Sequence, residues 1–209
     1  MKRKQYGYVR PDFLSLVPKD AKKILDVGCE KGLFGKQLKQ LNNEIEIIGV
    51  EKDEDKYNVA TKNLDRVILG DIEEIKLPFK ENYFDCIIAG DVLEHLVNPW
   101  KTLEHLRYFL KEDGFFISSV PNISHYKVLM KLLRGRWDYT AQGILDKTHL
   151  RFFCLDNIKE MFQEARFEIE GIRRNMVSAR GLRILNLLLF NRLTEFLTQQ
   201  YYIIAQKKK

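Results

Sequence analysis

The sequence predicts an α/β protein with a doubly wound, mostly parallel sheet. Short apolar runs, each bounded by Gly, Asp or Pro, are typical of buried parallel strands. Segments with helical periodicity lie between these runs, and the glycine-bearing turn "GCEKG" joins the first run to the first helix. Alternation of strand and helix implies right-handed crossovers between neighbouring parallel strands.

The predicted elements follow one another in a regular order. The apolar runs cover residues 24–27, 45–50, 67–69, 84–89 and 115–120. The first two helices are expected at 31–41 and 54–63, the second introduced by Asp53 as N-cap. A third helix opens with Asn98 as N-cap and Pro99 at its first position. Its apolar stripe consists of Trp100, Leu103, Leu106 and Leu110 and stops before Gly114.

Length and composition restrict the class of protein. A chain of 209 residues with 45% hydrophobic residues can form one large domain, which we expect over residues 1–209. The basic start "MKRKQYGYVRP" has no apolar region behind it, and no apolar stretch approaches the roughly 18 residues that span a bilayer, so we expect a cytoplasmic location. Cys29, Cys86 and Cys154 are widely spaced, which predicts reduced thiols. A net charge of +6 admits an anionic partner without identifying it.

Acidic residues stand at the ends of successive predicted strands. In a doubly wound sheet, ligands bind outside the carboxyl ends of the strands. Gly28 permits a tight turn after the first strand, and the next helix directs backbone N–H groups at that turn. Glu51 ends the second strand, where an acid can accept hydrogen bonds from two ribose hydroxyls. Any one such acid could simply cap a helix, but Glu51, Asp71 and Asp91 after three successive strands together predict a nucleoside ligand.

The turn after the first strand does not match the common phosphate-binding motifs. Glu30 stands where a dinucleotide-binding fingerprint has its second glycine, and a carboxylate there would repel a pyrophosphate. Glu30 also occupies the glycine position of a P-loop, and Gln37 replaces its Ser or Thr. An acid at position 30 instead favours a ligand whose non-adenine end is cationic.

The ordered motifs resemble those of class I S-adenosylmethionine-dependent methyltransferases. "ILDVGCEKG" is similar to their first motif, "GVEKD" to their second-strand acidic motif, "LGDIEE" to the adenine-binding segment and "FDCIIAGDVLEHL" to the fourth strand and its loop. Two late strands, "FEIEGIRRN" and "QQYYIIAQKK", agree with the family's final hairpin. The resemblance implies a Rossmann-like, seven-stranded sheet with an antiparallel strand near the C-terminus.

The resemblance also implies which residues bind S-adenosylmethionine. Gly28, Cys29 and Gly32 would lie against its methionine end, and Glu51 would bind the ribose hydroxyls. Asp71, with the backbone N–H of Ile72, would bind the adenine. The expected set is completed by Asp26, Lys52, Asp91 and Val92. Glu30 departs from the family, in which many members have glycine at that position.

Within the family, the chain resembles quinone-biosynthesis methyltransferases and uncharacterised methyltransferases of bacterial glycan and natural-product pathways. The resemblance lies in "GDVLEHLVNP", "VPNISHY" and "LDKTHLRFFCLDNIKEMFQEARFEI". The Asn/Asp-Pro-Pro-aromatic tetrad of amino-methylating DNA enzymes is replaced by Gly90-Asp91-Val92-Leu93. We therefore expect methylation of a hydroxyl on a small molecule or glycan precursor.

A hydroxyl acceptor calls for a base, and histidine is suited to this role near neutral pH. His149 and His125 flank a segment at about 121–153 that we expect to cover the acceptor, so they are the predicted catalytic residues. We expect His95 to orient its loop and His105 to lie on the surface. An alternative for His149 is a structural clasp, in which Asp146 and Thr148 cap a turn and Phe152 and Phe153 enter the core.

A metal ion is the alternative to a histidine base. Asp91, Glu94 and His95 offer three ligands on one loop, with His125 or His149 as a fourth. This spacing resembles metal-assisted methylation of RNA 2′-hydroxyls and of quinones. We expect no metal, because a sulfonium leaving group needs no electrophilic help.

A second insertion, at about 179–197, carries leucines at helical spacing. The simplest interpretation is a helix that packs on the domain or over the acceptor site. Residues 180–197 could instead contact a membrane surface or a second copy of the chain. Two functional alternatives remain: an RNA-modifying methyltransferase, which the pI near 9.1 permits although no RNA-binding domain is appended, and a noncatalytic cofactor-binding subunit.

Overall fold

The computed structural model describes residues 11–177 and 180–208. The basic start of the chain at 1–10 therefore lies outside the described residues. So do position 179, where the second insertion is predicted to begin, and Lys209, the last residue.

Seven strands form a single sheet in the order β3-β2-β1-β4-β5-β7-β6. The strands are β1 (Lys23–Val27), β2 (Glu46–Glu51), β3 (Arg66–Leu69), β4 (Phe84–Gly90), β5 (Leu110–Pro121), β6 (Phe167–Met176) and β7 (Thr198–Lys207). Strands β1 to β5 run parallel to one another, whereas β7 runs antiparallel to both β5 and β6. The predicted doubly wound sheet with its late antiparallel strand is confirmed.

Helices connect the strands. They are α1 (Pro11–Leu14), α2 (Leu33–Leu41), α3 (Glu54–Ala60), α4 (Pro99–Phe109), α5 (Tyr126–Leu132), α6 (Leu155–Glu164), α7 (Arg180–Leu188) and α8 (Thr194–Leu197). Asp53 and Asn98 cap α3 and α4 as predicted, each accepting a hydrogen bond from the backbone N–H three residues on. No helix in the described ranges is long and apolar enough to cross a bilayer.

Several predicted boundaries differ from the observed ones. Helix α2 begins at Leu33 rather than at position 31, because Gly32 adopts a left-handed conformation with φ of 69°. Helix α3 ends at Ala60, three residues early. Leu110, predicted as the last residue of the α4 stripe, is the first residue of β5, which passes through Gly114.

The sheet separates two apolar cores. One contains Phe116, Phe162 and Tyr201, and the other contains Ile47 and Ile88. Adjacent residues of one strand enter different cores because successive side chains point to opposite faces of a sheet. Both faces are thus covered, and the edge formed by the carboxyl ends of β1 to β5 is left to form a site.

Candidate active site

The parallel register brings the predicted ligand-binding residues to one edge of the sheet. Val27 pairs with Val50 of β2 and with Ala89 of β4, so the residues that follow these strands are neighbours in space. Asp71 joins the same edge after β3, where Glu51 pairs with Leu69. Four strands thus end beside one another, as the sequence predicted.

The turn after β1 requires glycine at two positions. Gly28 and Gly32 have φ values of 67° and 69°, and the N–H of Gly28 donates to the carbonyl of Val50 at 2.9 Å. A Cβ on Gly28 would lie only 2.7 Å from Cγ2 of Val92. The backbone of this turn therefore packs directly against Val92, in the loop that follows β4.

Cys29 and Glu30 turn their side chains in different directions. The Cys29 thiol is buried in the core, and burial, reinforced by the charge of Asp26, raises its pKa. The thiol is therefore inert, and only its backbone can meet a ligand at this turn. Glu30 has a φ of 49° and forms a 3.3 Å ion pair with Lys56 of α3.

Backbone amides hold the carboxylate of Glu51 in place. Its Oε2 accepts a hydrogen bond from the N–H of Glu30 at 2.8 Å. Its Oε1 accepts from the N–H groups of Lys52 and Asp53 at 3.0 and 2.9 Å. A carboxylate has about four acceptor positions, so room remains for a ligand hydroxyl. Glu51 thus links the first turn to the second, in a fixed orientation.

Asp26 is a buried acid beneath this turn. Its Oδ2 has no hydrogen-bond partner among the described residues, and the side chain is 5% exposed. Burial, followed by the negative charges of Glu51 and Glu30, raises the pKa of Asp26 to about 7. A cationic ligand nearby would favour the ionised form of this carboxyl.

Asp71 and Lys52 face one another across the edge. Lys52 Nζ lies 3.3 Å from Asp71 Oδ2, and Asp71 Oδ1 accepts a hydrogen bond from the N–H of Glu73 at 3.1 Å. Ile72, the next residue, is buried in the core. The half-exposed Asp71 thus presents a carboxylate whose position is set by its own turn.

Asp91 is positioned by β5 and β7. It adopts a left-handed φ of 58°, its N–H donates to Ser119 Oγ at 2.9 Å, and Ser119 Oγ donates to its Oδ1 at 2.9 Å. Gln200 Nε2 also donates to Asp91 Oδ1. Neither Ser119 nor Gln200 is predicted from the sequence; the one signal for Ser119 is a polar pair within the apolar run "FFISSV".

Glu94, His95 and His149 lie together at the same edge. Each of the three offers a metal-ligating atom, and these atoms lie within 4.8 Å of one another. The two imidazole rings meet edge to face with their centroids 4.7 Å apart. Asp91, predicted as part of a metal-binding set, is not in this group. The structure thus groups Glu94 and His95 with His149, and not with Asp91, as candidate metal ligands.

Carbonyl oxygens orient both rings. Nδ1 of His95 lies 3.1 Å from the carbonyl oxygen of Thr148, and Nδ1 of His149 lies 3.0 Å from that of Ile144. With Nδ1–H as donor, each Nε2 keeps its lone pair. Burial lowers the pKa of His149, and the bond to Ile144 opposes this shift.

The predicted clasp around His149 is also present. Asp146 Oδ1 accepts hydrogen bonds from the N–H and the hydroxyl of Thr148 at 2.9 and 2.7 Å. The N–H groups of residues 150 and 151 both donate to the carbonyl of Glu94, at 2.8 and 3.0 Å. Phe153 is buried, whereas Phe152 is only half-buried. A structural role for this clasp and a catalytic role for His149 are therefore compatible, because the clasp places His149 next to Glu94.

The remaining two histidines lie elsewhere. His105 is exposed on α4, as predicted. His125 is 2% exposed, directly before α5, and burial lowers its pKa to about 4, with a contribution from the charge of Lys127. A group with this pKa is a weak base, although it is neutral and available at pH 7.

These residues fit S-adenosylmethionine on three grounds. The turn presents backbone without a side chain at Gly28 and Gly32, the strand ends present several carboxylates, and Asp26 has a buried oxygen without a partner among the described residues. A cationic sulfonium and ammonium complement such a set of acids.

Comparisons with known proteins identify the family and the fold. A family model described as "Methyltransferase domain" matches residues 1–171. An uncharacterized protein of Methanocaldococcus jannaschii is 26% identical over 183 residues, 80% of this chain and 70% of that protein. A ubiquinone biosynthesis O-methyltransferase of Glaesserella parasuis is 26% identical over 61% of this chain and 56% of its own length. The crystal structure of a SAM-dependent methyltransferase from Archaeoglobus fulgidus has a TM-score of 0.66 at 21% identity, covering 90% of this chain and 87% of that one, and shares its fold.

Proposed function

The chain belongs to the methyltransferase domain family and is an S-adenosylmethionine-dependent methyltransferase, and from that premise we propose that it methylates a hydroxyl of a small molecule or glycan precursor. The observation that carries this proposal is the orientation of His149, whose Nδ1 faces the carbonyl of Ile144 and whose ring contacts His95. Similarity to a ubiquinone biosynthesis O-methyltransferase supports oxygen as the methylated atom.

His149 is the base in this proposal. Its Nε2 takes the proton of the acceptor hydroxyl, and the resulting imidazolium is stabilised by the negative charges of Asp146 and Asp91, which offset part of the lowering of the His149 pKa by burial. Burial keeps the ring neutral, and therefore competent as a base, at pH 7. His125, with its pKa of about 4, is the weaker candidate for the same role.

The other predicted residues bind the cofactor. Gly28, Cys29 and Gly32 line the methionine end through their backbone, and Asp26 and Asp91 supply negative charge there. Glu51 and Lys52 would hold the ribose. Asp71 and Ile72 would bind the adenine, and Val92 packs against the turn. When bound, S-adenosylmethionine supplies a methyl group on a sulfonium, which departs as a neutral thioether, so the protein's task is to position the acceptor and remove its proton.

We expect the His149→Ala variant to lower kcat about 10²- to 10⁴-fold while leaving cofactor affinity unchanged. Activity of the wild type should fall at acidic pH as His149 becomes protonated. His105→Ala is the matched control, because His105 is exposed on α4, and it should retain full activity. The assay follows S-adenosylhomocysteine formation with extracts as acceptor source; full activity of His149→Ala would refute the base. If no acceptor supports turnover, the result favours a noncatalytic cofactor-binding subunit. Turnover with RNA alone would favour an RNA-modifying methyltransferase.

A divalent ion is the one competing arrangement that a specific observation supports, namely the proximity of Glu94, His95 and His149. Carbonyl-bonded imidazoles with free Nε2 lone pairs are also typical metal ligands. A chelator separates the two: activity that survives chelation supports the base, and activity that is lost and then restored by Mg²⁺ or Mn²⁺ supports the metal. We favour the metal-free arrangement, because the acceptor proton needs only one base.

Residues 180–197 supply a contact with an anionic membrane surface in this proposal. Leu187, Leu188 and Phe190 are 68, 70 and 88% exposed, and Arg183 and Arg192 are exposed on the same segment. An apolar surface flanked by cations is typical of interfacial segments. Such a contact would suit a lipid-linked acceptor, which the segment at 121–153 would cover.

A further inference from the structure

A second concave site lies at the carboxyl edge, beside the histidine pair. It is a cavity of about 210 Å³ between α5, the segment that follows it, and the adjoining ends of β6 and β7. Its lining comprises His125, Lys127, Val128, Lys131, Thr140, Ile144, Leu145, Val177 and Gln199. This volume is below the range of sites that enclose a whole drug-sized molecule, so it suits one part of a larger ligand.

A buried polar group lines this cavity. His125 is 2% exposed, and its Nε2 has no hydrogen-bond partner among the described residues. Buried polar atoms of native proteins are nearly always hydrogen-bonded, so an exception needs an explanation. A ligand that accepts a hydrogen bond from Nε2 would provide one.

The charges around the cavity favour an anion. Lys127 and Lys131 both line it, and no carboxylate is among its described lining residues. The positive charge of Lys127 reaches the His125 ring, since it contributes to the lowered pKa of that ring. Among the described residues, the Lys131 ammonium has one ion-pair contact, a long one of 3.9 Å with Asp138, and it can therefore bind a second anion.

Apart from Thr140 and Gln199, the rest of the lining is apolar. Val128, Ile144, Leu145 and Val177 surround the polar group. An anion without an apolar body would leave these side chains facing water. The combination therefore favours an anionic group attached to a short hydrocarbon or ring.

We propose that this cavity is a binding subsite for the anionic group, a phosphate or a carboxylate, of an acceptor that also carries an apolar body. The inference rests on the proposed function in one respect: the bound molecule is the methyl acceptor. One contact connects the cavity to the histidine pair, and another connects it to Asp91. Ile144 lines it and its carbonyl faces His149, while Gln199 lines it and the next residue, Gln200, donates to Asp91. An acceptor anchored here would extend toward Nε2 of His149.

Calorimetry with three matched probes tests the subsite on the full chain without cofactor. Hexyl phosphate, hexanoate and neutral 1-hexanol share one apolar body and differ in the polar group. We expect at least one anionic probe to bind about tenfold or more tightly than hexanol. The anionic probe that binds more tightly shows whether the subsite prefers a phosphate or a carboxylate. Equal affinity for all three would overturn the proposal.

Variants locate the binding. Lys127→Met with Lys131→Met should weaken the anionic probe about tenfold, on the order expected for two partly exposed charges, while Lys101→Met on α4 should have no effect. His125→Phe should also weaken it, and the ¹⁵N signal of His125 Nε2 should shift on titration of the wild type. An unchanged affinity in the double lysine variant would refute the subsite. His149→Ala should bind the probe with wild-type affinity. Loss of activity in that variant therefore tests the base, and loss of probe binding in the lysine variant tests the subsite, so the two proposals can fail separately.

Discussion

Gly28→Ala should destabilise the protein much more than the same change at Gly135, a glycine with a similar positive φ. Gly28 and Gly135 have φ values of 67° and 69°, but a Cβ at Gly135 would have no neighbour within 4 Å, whereas at Gly28 it would lie 2.7 Å from Val92 Cγ2. The left-handed conformation costs about 1–2 kcal/mol for alanine at either site. Overpacking adds about 1–3 kcal/mol at Gly28 alone, because Val92 is stiff at χ1 and cannot turn away freely.

Urea unfolding measures both free energies. We expect losses of about 1–2 kcal/mol for Gly135→Ala and about 2–5 kcal/mol for Gly28→Ala. Adding Val92→Ala to Gly28→Ala should restore most of the stability lost to overpacking and leave only the cost of the left-handed backbone conformation. The two substitutions should therefore be non-additive in a double-mutant cycle. Cofactor affinity should fall in Gly28→Ala and stay unchanged in Gly135→Ala.

Two outcomes would refute this reasoning. Equal losses of unfolding free energy at the two glycines would mean that the loop carrying Val92 moves aside without an energetic penalty. Additive effects of Gly28→Ala and Val92→Ala would mean that the two residues do not meet. Either result would remove the packing argument for the wall of the cofactor site.

Three other perturbations test the remaining features. Glu51→Ala should weaken S-adenosylmethionine binding in calorimetry by about 1.5–3 kcal/mol per lost hydrogen bond, with Glu51→Gln intermediate, and unchanged affinity would exclude Glu51 from the ribose site. Asp26 has a folded pKa raised from 3.8 to about 7, so its contribution to stability falls as pH rises through that window. Asp26→Asn should therefore gain about 2–3 kcal/mol relative to wild type between pH 5 and pH 8 in urea unfolding, and a pH-independent difference would contradict the shift. Leu187→Ser with Phe190→Ser should abolish cosedimentation with anionic vesicles, whereas wild-type protein that stays in the supernatant would exclude the membrane contact.

The strands and the strand-end acids are predictable from the sequence because they depend on local pattern. Apolar runs bounded by turn residues indicate buried parallel strands, and parallel strands necessarily end at a common edge, so the sequence alone places Glu51 and Asp71 there. Helix boundaries are less accurate, since Gly32 delays α2 by a backbone conformation that periodicity does not reveal.

The histidine pair and the cavity are only partly predictable. The chain brings His149 to His95 through backbone hydrogen bonds across more than 50 residues, and no local pattern encodes such a contact. The clasp of Asp146 and Thr148 is visible in the sequence, but not that it carries His149 to Glu94. Gln200 escapes prediction for the same reason: its partner, Asp91, lies on a different strand end, 109 residues away.

Charge is segregated along the carboxyl edge, and the segregation suggests how two substrates are arranged. The ends of β1 to β4 carry Asp26, Glu51, Asp71 and Asp91, whereas beyond β5 the cavity is lined by Lys127 and Lys131. A cationic cofactor and an anionic acceptor would each be drawn to its own end of the edge. His149 lies between the two, with its charge opposed by burial. A neutral base at the boundary repels neither substrate before the reaction. The imidazolium that forms during proton transfer then gains the nearby carboxylates of Asp146 and Asp91 as partners, so the stabilisation arises as the charge develops.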